Sequence, residues 1–547
     1  MDLRVEISQI FEESMLFSFI CGSYLQIGSS IRRSDIDIFC CVDSFSREQD
    51  KKFRELYFSF HQKMGAKPDI YFPGELVTFK ELESGLRLVI KQKPQINIKS
   101  KRVYDGLVWA GMIVDNKKMI SGEIPRGILS SASNCIRRWN KELFGDNSVS
   151  TKRLAEQVIY DDDFLLKSGV ILKRIRENKK LITDILLEVE SYETVEDELY
   201  RSMDCLENIK KEKDFLTSAK VKYISSFLPV NLPLYSLVIF GFIPSLMSKK
   251  VFVRATKSIA PVVKVLKSIL FGHYGGIYVS QDERDDFVRD YVKHSEVILF
   301  TGRYQNVQKL ERKFPNKLII YNGAGINPII VNMNANIALA CDKTLKTRVF
   351  NSGQDCAGPD TILIHSEVFS RFVDCLNQKI KKIKVGGYAD RKVRVGRLLK
   401  PIHLDTLERD MREGGVVSGG NIDRENGIVY PTIICKPLSQ YKNYREFFAP
   451  IFWISEFKNE EELKSYFNTK NYTDFAMYVS VFGDLPRFQI PKSTVLRNEV
   501  VLDVERGNLE YGGYGDKANF VSYMGSRKIK PILISREISQ WKVSDNL

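Results

Sequence analysis

From Val221 onward the chain repeats one rhythm, in which a short apolar run is followed by an amphipathic stretch and then by another apolar run. Val251–Val253, Gly276–Val279, Val297–Phe300 and Leu318–Tyr321 are such runs. Runs this short and rich in β-branched residues read as strands, and the charged stretches between them, with apolar residues three and four apart, read as helices. Alternation of that kind predicts a parallel α/β sheet. Ahead of it, residues 153 to 219 carry Leu, Ile and Val at helical spacing among many charges, so long helices are expected there.

A chain of 547 residues is too long for one core, and two or three domains are expected. Residues 1 to about 100 alternate short helical and strand patterns, a mostly helical stretch follows, and the polar run Gly145–Thr151 is the best linker. The expected divisions are 1–100, 101–150, 151–325, 326–520 and 521–547. Lys and Arg exceed Asp and Glu by 82 − 68 = 14, which favours anionic partners, from nucleotides to nucleic acid or acidic protein, without choosing among them. The surplus is scattered over helix-like segments and lacks the aromatic interleaving of single-strand binders, so nucleic acid is not an expected partner. Nine cysteines without CxxC pairs, and five dispersed histidines, argue against a zinc site or a disulfide framework and for a reducing, cytoplasmic setting. The longest apolar stretch, Leu232–Met247, holds two prolines and is short for a membrane span, so no membrane is expected.

Near the front, Cys21-Gly22-Ser23 is followed after eleven residues by Asp35-Ile36-Asp37-Ile38. Carboxylates at i and i+2 on one strand share a face. Two such groups can hold one or two Mg²⁺ ions, which take hard oxygen ligands and leave room for phosphate. A Gly-Ser turn offers backbone N–H groups and a hydroxyl to a phosphate tail. A third acid, Asp69 in Lys67–Phe72, can complete the set. Over residues 15 to 75 this pattern resembles the nucleotidyltransferase superfamily. The resemblance implies Mg²⁺ on Asp35, Asp37 and Asp69, phosphate contacts from Gly22 and Ser23, and a nucleoside triphosphate as co-substrate.

Further along, a series of separated motifs appears in order. They are Asn231–Leu234, Arg254–Pro261, Phe300–Gly302, Asn322–Pro328, Asn351–Cys356, Gly427–Thr432, Arg445–Pro450 and Tyr511–Gly515. In this order and at these separations they resemble the aldehyde dehydrogenase superfamily, over about residues 165 to 545. The fold class implied for the whole chain is α/β, a small nucleotidyltransferase domain followed by a Rossmann-like cofactor domain and a catalytic domain. The resemblance makes Cys356 the nucleophile and Asn231 the amide of an oxyanion hole. It places Glu446 on the nicotinamide ribose and Phe448 beside the ring, with Thr301 and Gly302 near the cofactor.

Three departures bear on function. Asn322 stands where that family carries the glutamate that activates water, and an amide cannot act as a general base. Hydrolysis of a thioester is therefore disfavoured, and aldehyde formation from an activated acyl group fits better. Arg254 and Lys257 stand where an acid would hold the adenine ribose, and Arg303 adds a cation; together they favour NADP(H) over NAD. Gln308 replaces a glycine of the cofactor loop. The whole chain reads as a bifunctional enzyme acting on a small acyl or aldehyde substrate, with a carboxylate activated by nucleotidyl transfer as one source of the acyl group. The alternative is that one half only binds nucleotide or cofactor, and the oligomeric state stays open.

Overall fold

A computed structural model describes residues 2–21, 37–63, 74–95, 97–98, 100–115, 117–145, 154, 159–160, 164–218, 220–272, 274–400 and 404–545. The chain divides into two compact units, Met1–Ile171 with Gly272–Gly275, and Leu172–Phe271 with Gly276–Leu547.

In the front unit, strands β1 (Met15–Cys21), β2 (Asp37–Val42), β3 (Glu75–Thr78) and β4 (Lys117–Ser121) form one sheet in the order β3-β2-β1-β4. β1 is antiparallel to β2 and β4, and β2 is parallel to β3. Both faces are buried, as the period of two in β2 demands. Phe17, Phe19, Phe39 and Cys41 belong to the core shared with helices Phe79–Lys91, Lys101–Val114 and Arg126–Phe144, whereas Ile38, Cys40 and Val42 pack with Phe53, Leu56, Tyr57 and Phe60 of helix Arg47–Lys63. Thr78 starts the first of those helices by a capping box: its Oγ1 accepts from Glu81 N at 3.2 Å and its N–H donates to Glu81 Oε2 at 2.9 Å.

The rear unit holds two seven-stranded sheets. In the first, β5 (Val221–Phe227), β6 (Ser248–Arg254), β7 (Ile277–Ser280), β8 (Val297–Gly302) and β9 (Leu318–Gly323) are mutually parallel, as the strand-helix rhythm predicts. The second consists of β10 (Ile329–Val331), β11 (Ile362–His365), β12 (Val416–Ser418), β13 (Thr432–Pro437), β14 (Ile451–Phe457), β15 (Tyr478–Phe482) and β16 (Thr494–Arg497), in the order β12-β13-β14-β11-β10-β15-β16. All of its pairings are parallel except β12 with β13. The chain then returns to the first sheet as β17 (Asn519–Tyr523), antiparallel to β9, and β18 (Ser526–Ile529). Strands β8 to β11 are buried along Val297–Phe300, Leu318–Tyr321, Ile329–Val331 and Ile362–Ile364, as strands covered on both faces are, and there the sequence runs as unbroken apolar stretches. The apolar segment after Asn231 is helical from 233 to 245, with a π-helical turn at Val238–Phe242. No helix among the described residues is long and apolar enough to cross a membrane.

Candidate active site

Cys356 lies on a loop that helix Ile337–Val349 feeds into a tight reversal. Asn351, Ser352 and Gly353 take φ of 47°, 57° and 76°, three left-handed residues in succession. Such a backbone persists only when its surroundings determine it. A Cβ at Gly353 would meet the Ala449 carbonyl carbon at 2.3 Å and Pro450 N at 2.5 Å, so only glycine fits. Thr194 Oγ1 accepts from Asn351 N at 3.1 Å, Ser352 Oγ meets Tyr388 Oη at 2.6 Å, and Gln354 Oε1 accepts from Leu399 N at 2.7 Å. Beneath the reversal, the fully buried Arg348 donates to Gly353 O at 2.6 Å and to Asp360 Oδ1 at 3.2 Å.

The Cys356 carbonyl accepts from Asn327 Nδ2 at 2.9 Å, and Asn327 Oδ1 accepts from Tyr478 N at 3.3 Å, so Asn327 ties the cysteine loop to β15. The sulfur lies 3.2 Å from Tyr511 Oη. Burial above all, then the neighbouring carboxylates of Asp355 and Glu446, push the thiol well above its usual range, while the Tyr511 hydrogen bond acts in the opposite sense.

Asn231 follows β5 and is buried. The next residue, Leu232, is left-handed at φ 51°, and its N–H donates to Glu190 Oε1 at 2.9 Å. Tyr235 N donates to Glu198 Oε1 at 2.9 Å, so two buried carboxyls hold the orphan donors at the start of the 233–245 helix. Burial pushes Glu198 up to about 7, and burial and its neighbour Glu198 push Glu190 upward as well. Asn322 is the last residue but one of β9, beside Thr301 of β8, and its buried Oδ1 has no hydrogen-bond partner among the described residues.

Cys356 and Asn231 border two hollows. One is a cavity of ≈ 110 Å³ that Asn322 also lines, with walls from Leu232, Ile239, Phe240, Ile243 and Ile534. The other is a cleft of ≈ 620 Å³ lined by Arg254, Arg284, Thr301, Gly302, Arg303, Lys400, Glu446 and Phe448. Arg303 is the N-cap of helix Tyr304–Lys313, whose first turn therefore opens on the cleft. Burial lowers the Lys400 ammonium and the nearby Arg303 and Arg254 lower it further; burial and then Arg284 likewise lower Arg254 against the pull of Glu283. Glu446 is exposed at the edge of the cleft; loss of solvent around its carboxyl first, then Asp360, push it up to about 8. Phe448 is left-handed at φ 50°.

Residues 275–487 match the family model described as the aldehyde dehydrogenase family. The rear of the chain carries an aldehyde dehydrogenase domain. The lactaldehyde dehydrogenase of Methanococcus maripaludis strain C5 is 25% identical over 359 residues, covering 61% of this chain and 75% of that protein. The lactaldehyde dehydrogenase of Methanococcus aeolicus is 29% identical over 281 residues, 49% of this chain and 55% of that protein. Among solved structures, glyceraldehyde-3-phosphate dehydrogenase GapN from Methanocaldococcus jannaschii complexed with NADP superposes with a TM-score of 0.55 at 19% identity, covering 68% of this chain and 88% of that one. An Escherichia coli NADP-dependent enzyme gives a TM-score of 0.58 at 16% identity, over 76% and 92%.

Within the aldehyde dehydrogenase domain, the fold gathers Cys356, Asn231, Arg254, Thr301, Gly302, Arg303, Glu446 and Phe448 around one cleft. Lys257 is placed apart from that lining: its side chain is 79% exposed and paired with Glu283. It sits three residues beyond the end of β6, after the chain has turned outward, and Arg284 and Lys400 supply the further cations instead. Sequence reasoning missed those two, as well as Tyr511, Asn327 and the Glu190–Glu198 pair. The Tyr-Gly-Gly-Tyr motif did carry a signal for Tyr511, but nothing in it points to a sulfur 155 residues away. In the front unit Asp37 is the first residue of β2 and half-buried, while Gly22, Ser23, Asp35 and Asp69 lie outside the described residues. Among the described residues no three His, Cys, Asp or Glu side chains form a group that could hold a metal ion.

Proposed function

We propose that the rear unit is an NADP(H)-dependent oxidoreductase that carries an acyl group as a thioester on Cys356 and converts an activated acyl donor into an aldehyde. The observation that carries this reading is the position of Cys356, on the border between a mostly apolar cavity and a cation-lined cleft. The thiolate attacks the acyl carbon, and the Asn231 amide with the Cys356 N–H stabilises the oxygen as it becomes negative. Asn322, unable to take a proton from water, leaves the thioester unhydrolysed. The bound dinucleotide supplies the hydride that reduces it. Arg254, Arg284, Arg303 and Lys400 fit the phosphates of such a group, and Glu446 its ribose hydroxyls. The relatives' printed names point to a small aldehyde, and the modest cavity beside Cys356 accords with one.

For the front unit we propose Mg²⁺-dependent nucleotidyl transfer at Asp35, Asp37 and Asp69, with the triphosphate held at Gly22 and Ser23. This part rests on the sequence pattern.

One assay tests both parts. NADPH oxidation is followed with an acyl thioester as donor, and separately with the free carboxylate plus a nucleoside triphosphate and Mg²⁺. The thioester is expected to support turnover, faster than hydrolysis to the acid. The carboxylate mixture is expected to support it only while Asp37 is intact. In the same assay Arg254→Ala weakens NADPH by about tenfold and NADH by far less, because a lost charge-assisted contact costs roughly 1.5–3 kcal/mol. Hydrolysis outrunning reduction, or equal losses for the two dinucleotides, contradicts the reading.

A pH dependence follows from Glu446. Ribose hydroxyls donate to a carboxylate, so the bound dinucleotide favours the ionised form of a group that is raised to about 8 when free. Below pH 8 binding must release its proton, so affinity rises with pH. The NADPH Kd is expected to fall by up to about tenfold per unit between pH 6 and 8. Glu446→Gln flattens the profile, as fluorescence titration would show.

A further inference from the structure

The half-buried Cys356 thiol, beside two carboxyls, resists ionisation, and among the described residues the one side chain that favours the thiolate is Tyr511. Asn322 cannot take its proton, and Asp355 and Glu446 oppose the negative charge. Among the described residues one side chain lies within hydrogen-bond reach of the sulfur: the Tyr511 hydroxyl, at 3.2 Å.

That hydroxyl is held in place from several directions. Tyr511 and Ile532 exchange backbone hydrogen bonds of 3.0 Å and 2.9 Å. The next residue, Gly512, donates its N–H to Tyr478 Oη at 2.7 Å, and the Tyr478 and Tyr511 rings lie 5.7 Å apart. Gly512 is left-handed at φ 109° and a Cβ there would meet Asn519 Oδ1 at 2.5 Å, while Asn519 exchanges hydrogen bonds of 3.2 Å and 3.1 Å with Gly513. The phenol also lines the cavity that Cys356, Asn231 and Asn322 line. A side chain needed only to fill that wall would require no hydroxyl.

We propose that Tyr511 is a catalytic residue whose phenol O–H donates to the Cys356 sulfur, stabilising the thiolate when it attacks and again when it leaves. The inference rests on Cys356 being the nucleophile. In the first step the Cys356 S–H bond breaks and its proton passes to solvent water. A sulfur lone pair then forms the C–S bond as the carbonyl π pair moves to oxygen. That pair returns to re-form C=O, and the donor's sulfur departs as a thiolate with the electrons of its own C–S bond and takes a proton from water. After reduction the oxygen pair re-forms the aldehyde carbonyl, the Cys356 C–S bond breaks, and the sulfur regains its electron pair against the Tyr511 O–H. A phenol that donates to a thiolate lowers the thiol's ionisation midpoint, because it bonds to the charged form.

The test is Tyr511→Phe, which keeps the ring and removes the hydroxyl. Cys356 is alkylated with iodoacetamide from pH 6 to 10 in the full-length protein, and the modified peptide is quantified by mass spectrometry. The inflection of the rate is expected to move up by at least about one pH unit, which slows alkylation near pH 7.5 by about tenfold. Acyl-enzyme formation from a thioester slows in parallel, while the NADPH Kd and the thermal midpoint stay at their wild-type values. Superimposable pH profiles for Tyr511→Phe and wild type would overturn the role of Tyr511 and leave Cys356 standing as nucleophile. A wild-type Cys356 that neither alkylates at any pH nor accepts an acyl group would overturn both.

Discussion

Cys356→Ala is expected to lose NADP(H)-linked turnover by at least about 10³-fold, since removing a covalent nucleophile abolishes the intermediate and leaves only binding and electrostatics. NADPH affinity should stay within about twofold, because the cations of the cleft are untouched. The fold should survive as well. Among the described residues the sulfur makes one side-chain hydrogen bond, to Tyr511. The loop around it is held by Thr194, Tyr388, Leu399 and Arg348, which the substitution does not disturb. Steady-state kinetics with a thioester, set beside a thermal unfolding scan, checks the separation of chemistry from stability. A variant that keeps a tenth of the wild-type rate would place the chemistry elsewhere.

Arg348→Ala is expected to be the most destabilising single change near the site, by about 3–5 kcal/mol, the range for breaking a buried ion pair by removing one partner. Arg348 is 0% exposed, and its guanidinium spans the reversal, donating to Gly353 O, Pro359 O and Asp360 Oδ1. Asp360 in turn accepts from Phe447 N at 3.1 Å, so the same pair supports the segment that presents Glu446 and Phe448. Burial pushes Asp360 up to about 6 even with Arg348 beside it. Without the guanidinium the carboxyl must be buried either unpaired or protonated, and Gly353 O loses its donor. The sign of the pH effect follows from Arg348 holding Asp360 down: without it the carboxyl rises above 6, so the loss relative to wild type is fullest at high pH, where Asp360 is ionised, and shrinks as pH falls toward 6 and below, where it is protonated. Urea unfolding at pH 5 and pH 8 measures both quantities, and equal losses at the two values would contradict the assignment. Arg348→Lys should recover little, because one ammonium cannot reach three acceptors spread along a planar fork.

Strands β6 to β9 of the rear unit were legible because their apolar runs stand out between charged amphipathic stretches, and they fall where those runs lie. That Cys356, Asn231 and Glu446 should meet at one cleft was an expectation drawn from motifs whose order along the chain carries information that no single motif does, and all three line the same cleft. The π-helical turn at Val238–Phe242 was not, since an extra residue in one helical turn leaves the apolar pattern unchanged. Glu190 and Glu198 sit in a stretch dense with charge, where two more acids look like a solvated face; only the fold shows them buried against the N–H groups of residues 232 and 235. Lys257 and Lys400 make the same point from the other side. The family resemblance set Lys257 beside Arg254 at the adenine ribose, yet three residues past the end of β6 its side chain turns outward to Glu283. Lys400 comes back to the cleft from a distant loop, which no local spacing can report.

The central claim is that an acyl group passes through Cys356, and the most direct measurement is the intact mass of the full-length protein mixed with an acyl thioester before and after NADPH is added. The account predicts a gain of one acyl mass, mapped to Cys356 and absent from Cys356→Ala, which persists for minutes in water and disappears with release of aldehyde when NADPH arrives. A mass gain that survives in Cys356→Ala, or NADPH oxidised at the wild-type rate by that variant, would contradict it.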